Sequence, residues 1–167
     1  MPLDGANSSD GMAPVSGDRM PSAMTGFVDL VCEQNVLIRY APGRGTRLVV
    51  ALSGVGNSPS VMPPPEFSRS ASADGANHVV FVSDRSRSWL NAPGLAEKIV
   101  AQVEALRSEV DISEVVTLGN SMGGFMALCL PELMRVDRVV AFSPQVSMHP
   151  DVVPEEVRWQ RWVKRFP

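Results

Sequence analysis

The segment 115-VVTLGNSMGGFMALCL-130 decides the fold, because in it an apolar run typical of a strand passes into one typical of a helix. Ser121 stands at the junction, between Gly119 and Gly123. A flexible loop does not need such apolar flanks, and a buried core segment does not need the polar pair Asn120 and Ser121 at its centre. The segment therefore predicts a strand, a tight turn that carries Ser121, and a helix.

Four unbroken apolar runs rich in β-branched residues follow one another along the chain: RLVVAL (47–52), HVVFVS (78–83), EVVTLG (114–119) and RVVAFS (138–143). Strands without polar alternation are expected where helices cover both faces of a parallel sheet. Five apolar residues after the second run fall on one face at helical spacing: Leu95, Ile99, Val103, Leu106 and Val110. Segments 95–110 and 122–134 are predicted helices, with Asn91 and Pro93 placed to start the first and Pro131 to end or kink the second.

The remaining segments complete the predicted organisation. Residues 1–25 are rich in Gly, Ser, Pro, Asp and Met without periodicity, which predicts a disordered leader. FVDLVCEQ (27–34) and VLIRYAP (36–42) predict two short strands that pair as a hairpin at a sheet edge. Residues 26–167 are thus predicted to form one α/β domain, a parallel sheet with a layer of helices on each face.

Composition and charge exclude several classes of protein. The 167 residues are 44% hydrophobic and 20% charged, as in globular domains. A net charge of −3 and a pI near 5.4 give no reason to expect nucleic acid or a membrane as partner. The N-terminus lacks the basic start and apolar core of a signal peptide, and we expect a cytoplasmic protein. Cys32 and Cys129 form no metal or disulfide pattern and are predicted to be buried free thiols.

At a junction of strand and helix, the sequence Gly119-Asn120-Ser121-Met122-Gly123 predicts a specific chemical role for the serine. Gly-x-Ser-x-Gly is there the signature of a nucleophile elbow, a strained turn that exposes the serine hydroxyl above the carboxyl edge of the sheet. Crowding two positions before and after the serine favours glycine at both. The helix that begins at Met122 supplies N–H groups and a positive dipole end that would stabilise an oxyanion. The alternative is a tight turn whose glycines merely allow close packing.

The loop Ser53-Gly54-Val55-Gly56 supports the catalytic interpretation. It follows a neighbouring strand on the carboxyl side, where this architecture takes its second oxyanion donor, and the N–H of Val55 is the predicted group. Taken alone, the two glycines could belong to a dinucleotide-binding loop. The third glycine of that motif is absent, however, and Pro59 begins a Pro-rich stretch where a helix would be needed.

Residues 47–144 resemble the first half of an α/β-hydrolase domain. The resemblance is carried by LVVALSGVG (48–56), HVVFVSD (78–84), VVTLGNSMGGFMAL (115–128) and VVAFSP (139–144). It implies an esterase, thioesterase or acyltransferase with Ser121 as nucleophile and the N–H groups of Met122 and Val55 as the oxyanion hole. The implied partner is a small-molecule acyl substrate, with no metal or organic cofactor. The alternative is a non-catalytic α/β-hydrolase-like binding module or an inactive fragment.

The chain departs from the family pattern after residue 143. The family places its acid and histidine on loops after later strands. Residues 145–167 show no further buried strand, so we expect the domain to be C-terminally incomplete. His149 is the candidate base, because it follows the strand next to Ser121 on the carboxyl side and has acidic residues nearby: Asp151, Glu155 and Glu156. The alternative is a surface histidine in a loop bounded by prolines.

The sequence also predicts roles for His78 and for the loop after the second apolar run. His78 opens a strand at the end of the sheet remote from Ser121, and we expect it to be structural or exposed. Arg85, Arg87 and Trp89 leave the second strand on the side of the oxyanion loop, and they could hold an anionic or sugar-like substrate group. The alternative for these three is a solvated loop anchored by Trp89.

Overall fold

The computed structural model describes residues 26–165 except Pro59 and Pro150. Within these residues the strands are β1 (Val28–Cys32), β2 (Val36–Ala41), β3 (Arg47–Leu52), β4 (His78–Asp84), β5 (Glu114–Asn120) and β6 (Arg138–Phe142). The helices are α1 (Ser68–Ser72), α2 (Leu95–Glu109), α3 (Met122–Cys129) and α4 (Gln160–Val163). The predicted leader, residues 1–25, lies outside the described residues.

The strands form one sheet in the order β1-β2-β4-β3-β5-β6. The four strands that contain the predicted apolar runs are neighbours and parallel, which confirms the predicted α/β sheet. β1 and β2 form the predicted antiparallel hairpin at one edge, and β2 pairs antiparallel with β4. Because parallel strands end at the same edge of a sheet, the segments after β3, β4, β5 and β6 meet at its carboxyl edge.

The two long helices cover one face of the sheet. α2 buries Leu95, Ile99, Val103 and Leu106, four of the five residues in the predicted stripe, in the main apolar core. α3 is apolar nearly all round and packs into the same core through Met122, Met126 and Ala127. It ends at Cys129, and Pro131 lies in a 3-10 turn directly after it, as predicted.

The helix α2 begins at Leu95 as predicted, but the roles predicted for Asn91 and Pro93 at its start are wrong. Gly94, with φ 76°, precedes the first helical residue, so neither Asn91 nor Pro93 occupies the expected position. The Asn91 amide donates instead to the carbonyl oxygens of Ser88 and Trp89 and thereby closes the loop before the helix. An asparagine can satisfy a loop as well as a helix end, and the sequence alone does not distinguish the two.

The second face of the sheet has a smaller core. Alternate residues of β3 point to opposite faces, so Val50 and Leu52 join the main core while Val49 and Ala51 pack with Phe81 beneath the short helix α1. The outer strand β6 leaves Val140 40% exposed and Phe142 51% exposed. The second face is therefore thinly covered near β6.

The two cysteine thiols are less buried than the sequence predicts. Cys32 is exposed at the end of β1, which contradicts its predicted burial, and Cys129 is half-buried at the end of α3. Burial and the neighbouring Glu132 carboxylate raise the pKa of the Cys129 thiol. No helix in the described part of the chain is long and apolar enough to cross a membrane.

Candidate active site

Ser121 forms the turn between the end of β5 and the start of α3. Its backbone has φ 56° and ψ −117°, a conformation that is strained for a residue with a Cβ atom. The Ser121 N–H donates to the carbonyl oxygen of Phe142 over 2.9 Å, and its carbonyl oxygen accepts from the N–H of Phe125 over 3.0 Å. The strained turn is thus held by β6 on one side and by the first turn of α3 on the other.

Close backbone contact explains the glycines around Ser121. A Cβ atom on Gly123 would overlap the carbonyl oxygen of Leu52 at the end of β3. A Cβ atom on Gly119 would overlap the backbone of Gly123. The spacing Gly-x-Ser-x-Gly therefore has a steric cause here, since any larger residue at either end would push α3 off the sheet.

The loop after β3 lies against the same turn. A Cβ atom on Gly54 would lie 3.2 Å from the carbonyl oxygen of Asn120, the residue before Ser121. The Gly54 N–H donates to Oε1 of Glu66 over 3.2 Å. Ser53 is buried, and its hydroxyl lies 3.2 Å from that of Ser83 on the neighbouring strand β4. The parallel strands thus bring Ser53–Gly56 beside Ser121.

Two backbone N–H groups at this junction, those of Val55 and Met122, have no acceptor among the described residues. Met122 opens α3, so no earlier helical turn supplies an acceptor for its N–H. Both residues are buried, and buried N–H groups without a partner are rare in folded proteins. Such donors at the positive end of a helix can bind a negatively charged oxygen.

Glu66 is a site residue that the sequence analysis missed. It is half-buried beside Gly54, and burial raises the pKa of its carboxyl group while the Gly54 N–H acts in the opposite direction. The residue lies in the Pro- and Ser-rich segment 57–77, whose sequence predicts a loop with at most a short helix. The sequence feature that could have identified it is a single carboxylate directly after three prolines, Pro63 to Pro65. This segment follows a strand that ends at the carboxyl edge of the sheet, where the site lies.

The loop after β4 is held in shape by hydrogen bonds among its own residues. Asp84 is fully buried, and its carboxylate accepts from the backbone N–H and hydroxyl groups of both Ser86 and Ser88. These four bonds satisfy a carboxylate that would otherwise be costly to bury. They turn the chain sharply, so that Arg87 points back into the protein and not into solvent.

The structure separates the three predicted substrate-binding residues. Arg85 is exposed and donates to the carbonyl oxygen of Ser60 over 2.7 Å. Arg87 is fully buried and bonded to backbone carbonyl oxygens, and Trp89 is 5% exposed with its indole N–H donating to Gln145 over 3.1 Å. Burial and these internal partners argue against substrate binding by Arg87 and Trp89, because neither offers a free polar group to a ligand.

The two histidines lie in different surroundings. His78 is buried at the start of β4, where Nδ1 lies 2.6 Å from the Tyr40 hydroxyl and Nε2 lies 2.9 Å from the carbonyl oxygen of Gly45. It is structural, as expected. His149 is exposed after β6, and its Nδ1 lies 3.6 Å from Oδ2 of Asp151. Of the three acidic residues near it in the sequence, Asp151 is the one that lies beside its ring, and the role of His149 as a base remains a prediction.

The described residues contain no group of three or more His, Cys, Asp or Glu side chains that could hold a metal ion.

Comparison with known proteins gives similarity of fold and not of sequence. No protein-family model and no curated protein matches the chain. A mutant capsule O-acetyltransferase of Neisseria meningitidis serogroup A, in complex with CoA, matches with a TM-score of 0.59 and 11% identity over 82% of this chain and 58% of that one. Another structure of this acetyltransferase matches with a TM-score of 0.58 and 10% identity over 85% and 63% of the two chains. A brefeldin A esterase, described as a bacterial homologue of human hormone-sensitive lipase, matches with a TM-score of 0.45 and 21% identity over 75% and 42%.

This chain spans 58% and 63% of the length of the two acetyltransferase chains. The matched proteins have the α/β-hydrolase fold. At 10% and 11% identity the similarity concerns the fold alone. Together with the parallel sheet and the junction of β5 and α3, it shows that this chain has an α/β-hydrolase-like fold.

Proposed function

We propose that the chain belongs to a serine-dependent enzyme that transfers an acyl group from an ester or thioester to water or to another acceptor. Ser121 is the proposed nucleophile. The observation that carries the proposal is a strained serine at a strand–helix turn, beside two buried N–H groups without an acceptor among the described residues, those of Val55 and Met122. Strain and unsatisfied donors both cost stability, so a chain that keeps them together at one edge has a functional reason for both.

The proposed reaction follows from these groups. The Ser121 hydroxyl oxygen attacks the acyl carbon and its proton passes to a base. The carbonyl oxygen of the substrate becomes negatively charged in the tetrahedral intermediate, where the N–H groups of Val55 and Met122 stabilise it. The intermediate collapses to an acyl-serine as the alcohol or thiol leaves with a proton. Water or a second hydroxyl compound then attacks the acyl-serine and restores the free serine.

His149 is the proposed base. The N–H of Gln145 donates to the carbonyl oxygen of Ser121 over 3.3 Å, so the segment that leads to His149 starts beside the nucleophile. The neighbouring Asp151 carboxylate would stabilise the charged imidazole after it takes the proton. In this proposal the exposed His149 ring moves from its contact with Asp151 to the serine hydroxyl during the reaction.

A specific observation favours the second candidate, a non-catalytic binding module. The Ser121 hydroxyl makes no hydrogen bond with any described residue, and the described polar contacts of the His149 ring are to Asp151. An unactivated serine is a poor nucleophile. In a binding module, the N–H groups of Val55 and Met122 would hold a carboxylate or carbonyl group of a ligand without chemistry.

Covalent labelling separates the two candidates. The purified chain would be incubated with a fluorophosphonate, which reacts with activated serines, and the labelled peptide identified by mass spectrometry. Hydrolysis of p-nitrophenyl acetate would be followed in parallel for the wild type, Ser121→Ala and His149→Ala. The matched control is Ser108→Ala, since Ser108 is an exposed serine on α2 that bonds only to the carbonyl oxygen of Ala105.

We expect the label on Ser121 and loss of both labelling and hydrolysis in Ser121→Ala, with Ser108→Ala unchanged. Loss in His149→Ala as well, by about a hundredfold or more, would support its role as base. An unlabelled Ser121 in the folded protein, together with hydrolysis that survives Ser121→Ala, would overturn the enzymatic proposal and leave the binding module.

A further inference from the structure

Arg87 makes an unusual set of contacts for a fully buried arginine. Its guanidinium donates to four backbone carbonyl oxygens: Val55 (3.1 Å from Nε), Arg85 (2.6 Å), Ser58 (2.8 Å) and Val61 (2.8 Å). No carboxylate is within hydrogen-bonding distance among the described residues, and burial lowers the pKa of the guanidinium while Asp84 acts against that. Three of the four acceptors belong to the loop after β3.

That loop has little else to hold its shape. Among the described residues, no backbone–backbone hydrogen bond involves residues 55–62. Besides Arg87, the described donor to a carbonyl group of residues 55–62 is Arg85, which is exposed and reaches Ser60. Outside this part of the loop, the Ser53 hydroxyl donates to the carbonyl oxygen of Pro64 over 2.9 Å. A buried hydrogen bond to a charged donor is stronger than a neutral one, so Arg87 supplies most of the described polar stabilisation of residues 55–62.

The contacts hold the two peptide groups that flank the one with the Val55 N–H. On one side of it, the Gly54 N–H donates to Glu66. On the other side, the Val55 carbonyl oxygen accepts from Nε of Arg87. The peptide group between Gly54 and Val55 thus lies between two hydrogen-bonded peptide groups, while its own N–H has no acceptor among the described residues.

We propose that Arg87 is a positioning residue, which holds the loop after β3 so that the Val55 N–H is oriented to bind the oxyanion formed at Ser121. This inference rests on the proposed function. It gives Arg87 a role in holding the loop in place of the substrate binding predicted from the sequence. The planar guanidinium is needed because its donors diverge toward several carbonyl groups at once. A lysine has a single nitrogen and cannot span the same acceptors.

The test compares Arg87→Lys and Arg87→Met with the wild type in fluorophosphonate labelling of Ser121. The inactivation rate constant (kinact) and the reversible binding constant (KI) would be measured separately on the full chain. Arg107→Lys and Arg107→Met are the matched controls, since Arg107 is on the surface of α2 and pairs with Glu104. Thermal unfolding by circular dichroism would verify that each variant is folded at the assay temperature, and hydrogen exchange would report on the amides of residues 55–61.

We expect both Arg87 variants to lower kinact about tenfold or more with little change in KI, because a misplaced donor weakens the transition state and not the encounter. Faster hydrogen exchange of residues 55–61 should accompany the loss, and the Arg107 variants should behave as wild type. If Arg87→Met does not fold, the Arg87→Lys result decides.

Two results would contradict the inference, and they differ in what else they contradict. Wild-type labelling with unchanged kinact in folded Arg87 variants, or unchanged hydrogen exchange of the loop, would overturn the role of Arg87 and leave the proposed function intact. A wild-type chain that is not labelled at Ser121 would overturn the proposed function, and the inference with it.

Discussion

Among single residues, Ser121 combines a reactive hydroxyl with a backbone conformation that L-residues avoid. Its φ of 56° and ψ of −117° are accessible to glycine without a steric penalty. Strain of this kind costs about 1–3 kcal/mol, and it persists where the surrounding structure imposes it. Here the bonds to Phe142 and Phe125 impose it.

The strain at Ser121 predicts a gain in stability on substitution by glycine. Ser121→Gly should unfold at higher urea concentration than Ser121→Ala, with a difference of about 1 kcal/mol after the greater freedom of glycine in the unfolded chain is subtracted. Both variants lack the hydroxyl, so the comparison isolates the Cβ atom. A Ser121→Gly protein less stable than Ser121→Ala would show that the turn is not strained.

Glu66 predicts a pH dependence of stability with a defined sign. Burial raises the pKa of its carboxyl group in the folded protein above the ordinary value of 4.5. A group whose pKa is raised by folding favours the folded state while it is protonated, and this contribution is lost as the pH rises through the folded-state pKa. Glu66→Gln remains neutral, so its stability relative to wild type should increase as the pH rises above the ordinary value.

The measurement is urea unfolding of wild type and Glu66→Gln at a series of pH values from about 4 to 7. The difference between the two proteins cancels the titration of the other groups. Ser70→Ala, at an exposed position of α1, changes no titratable group, so it is the control and its difference from wild type should stay constant. A difference for Glu66→Gln that shrinks or reverses as the pH rises would contradict the assigned environment.

At the scale of secondary-structure elements, the position of α3 depends on the absence of side chains where it crosses the sheet. A Cβ atom on Gly123 would overlap the end of β3, and a Cβ atom on Gly124 would lie 3.0 Å from the carbonyl oxygen of Phe142 in β6. The helix therefore lies close to two strands at once. This close approach puts its N-terminus beside the loop after β3.

Gly123→Val is expected to destabilise the protein by about 3 kcal/mol or more, because the obstacle is backbone and cannot rotate away. Ala101→Val, at an exposed position of α2, adds the same branched side chain to a helix surface and should cost only about 0.5 kcal/mol. Thermal or urea unfolding of the two variants measures the difference. Comparable stabilities would mean that α3 is not seated against β3 as described.

At the scale of the whole molecule, the two edges of the sheet are protected unequally. The β1 edge has an irregular register between Asp29 and Val31, and Asp29 pairs with Arg39 across the hairpin, features that discourage pairing with another chain. β6 pairs on one side with β5, and no described strand covers its other side. Beside it, a groove of about 420 Å³ runs between α1 and the second face of the sheet.

This asymmetry predicts that two copies of the chain associate through β6. The fraction of dimer or larger species, measured by light scattering across a range of protein concentrations, should fall in Val140→Lys, because a charge at the exposed apolar strand opposes pairing. Val152→Lys, at an exposed valine outside the strands, is the control. A wild type that stays monomeric at high concentration would contradict the prediction.

The sequence by itself determined the strands, the two long helices and the turn that carries Ser121 between β5 and α3. These features are local: unbroken apolar runs specify buried strands, helical spacing specifies an apolar face, and the glycines around Ser121 specify a tight turn. A pattern within about fifteen residues is enough for each, because backbone hydrogen bonding and sterics act over that range.

Only the tertiary structure decided which groups surround the junction. Arg87 reaches Val55 across 32 positions of sequence, and Glu66 reaches Gly54 across 12. Nothing in an Arg-Ser-Arg loop distinguishes the exposed Arg85 from the buried Arg87, because the difference arises from the turn around Asp84 and from the path of the loop after β3. The strand order likewise places β4 between β2 and β3. Contacts of this kind depend on how separate segments pack, and a local pattern carries no information about its distant neighbours.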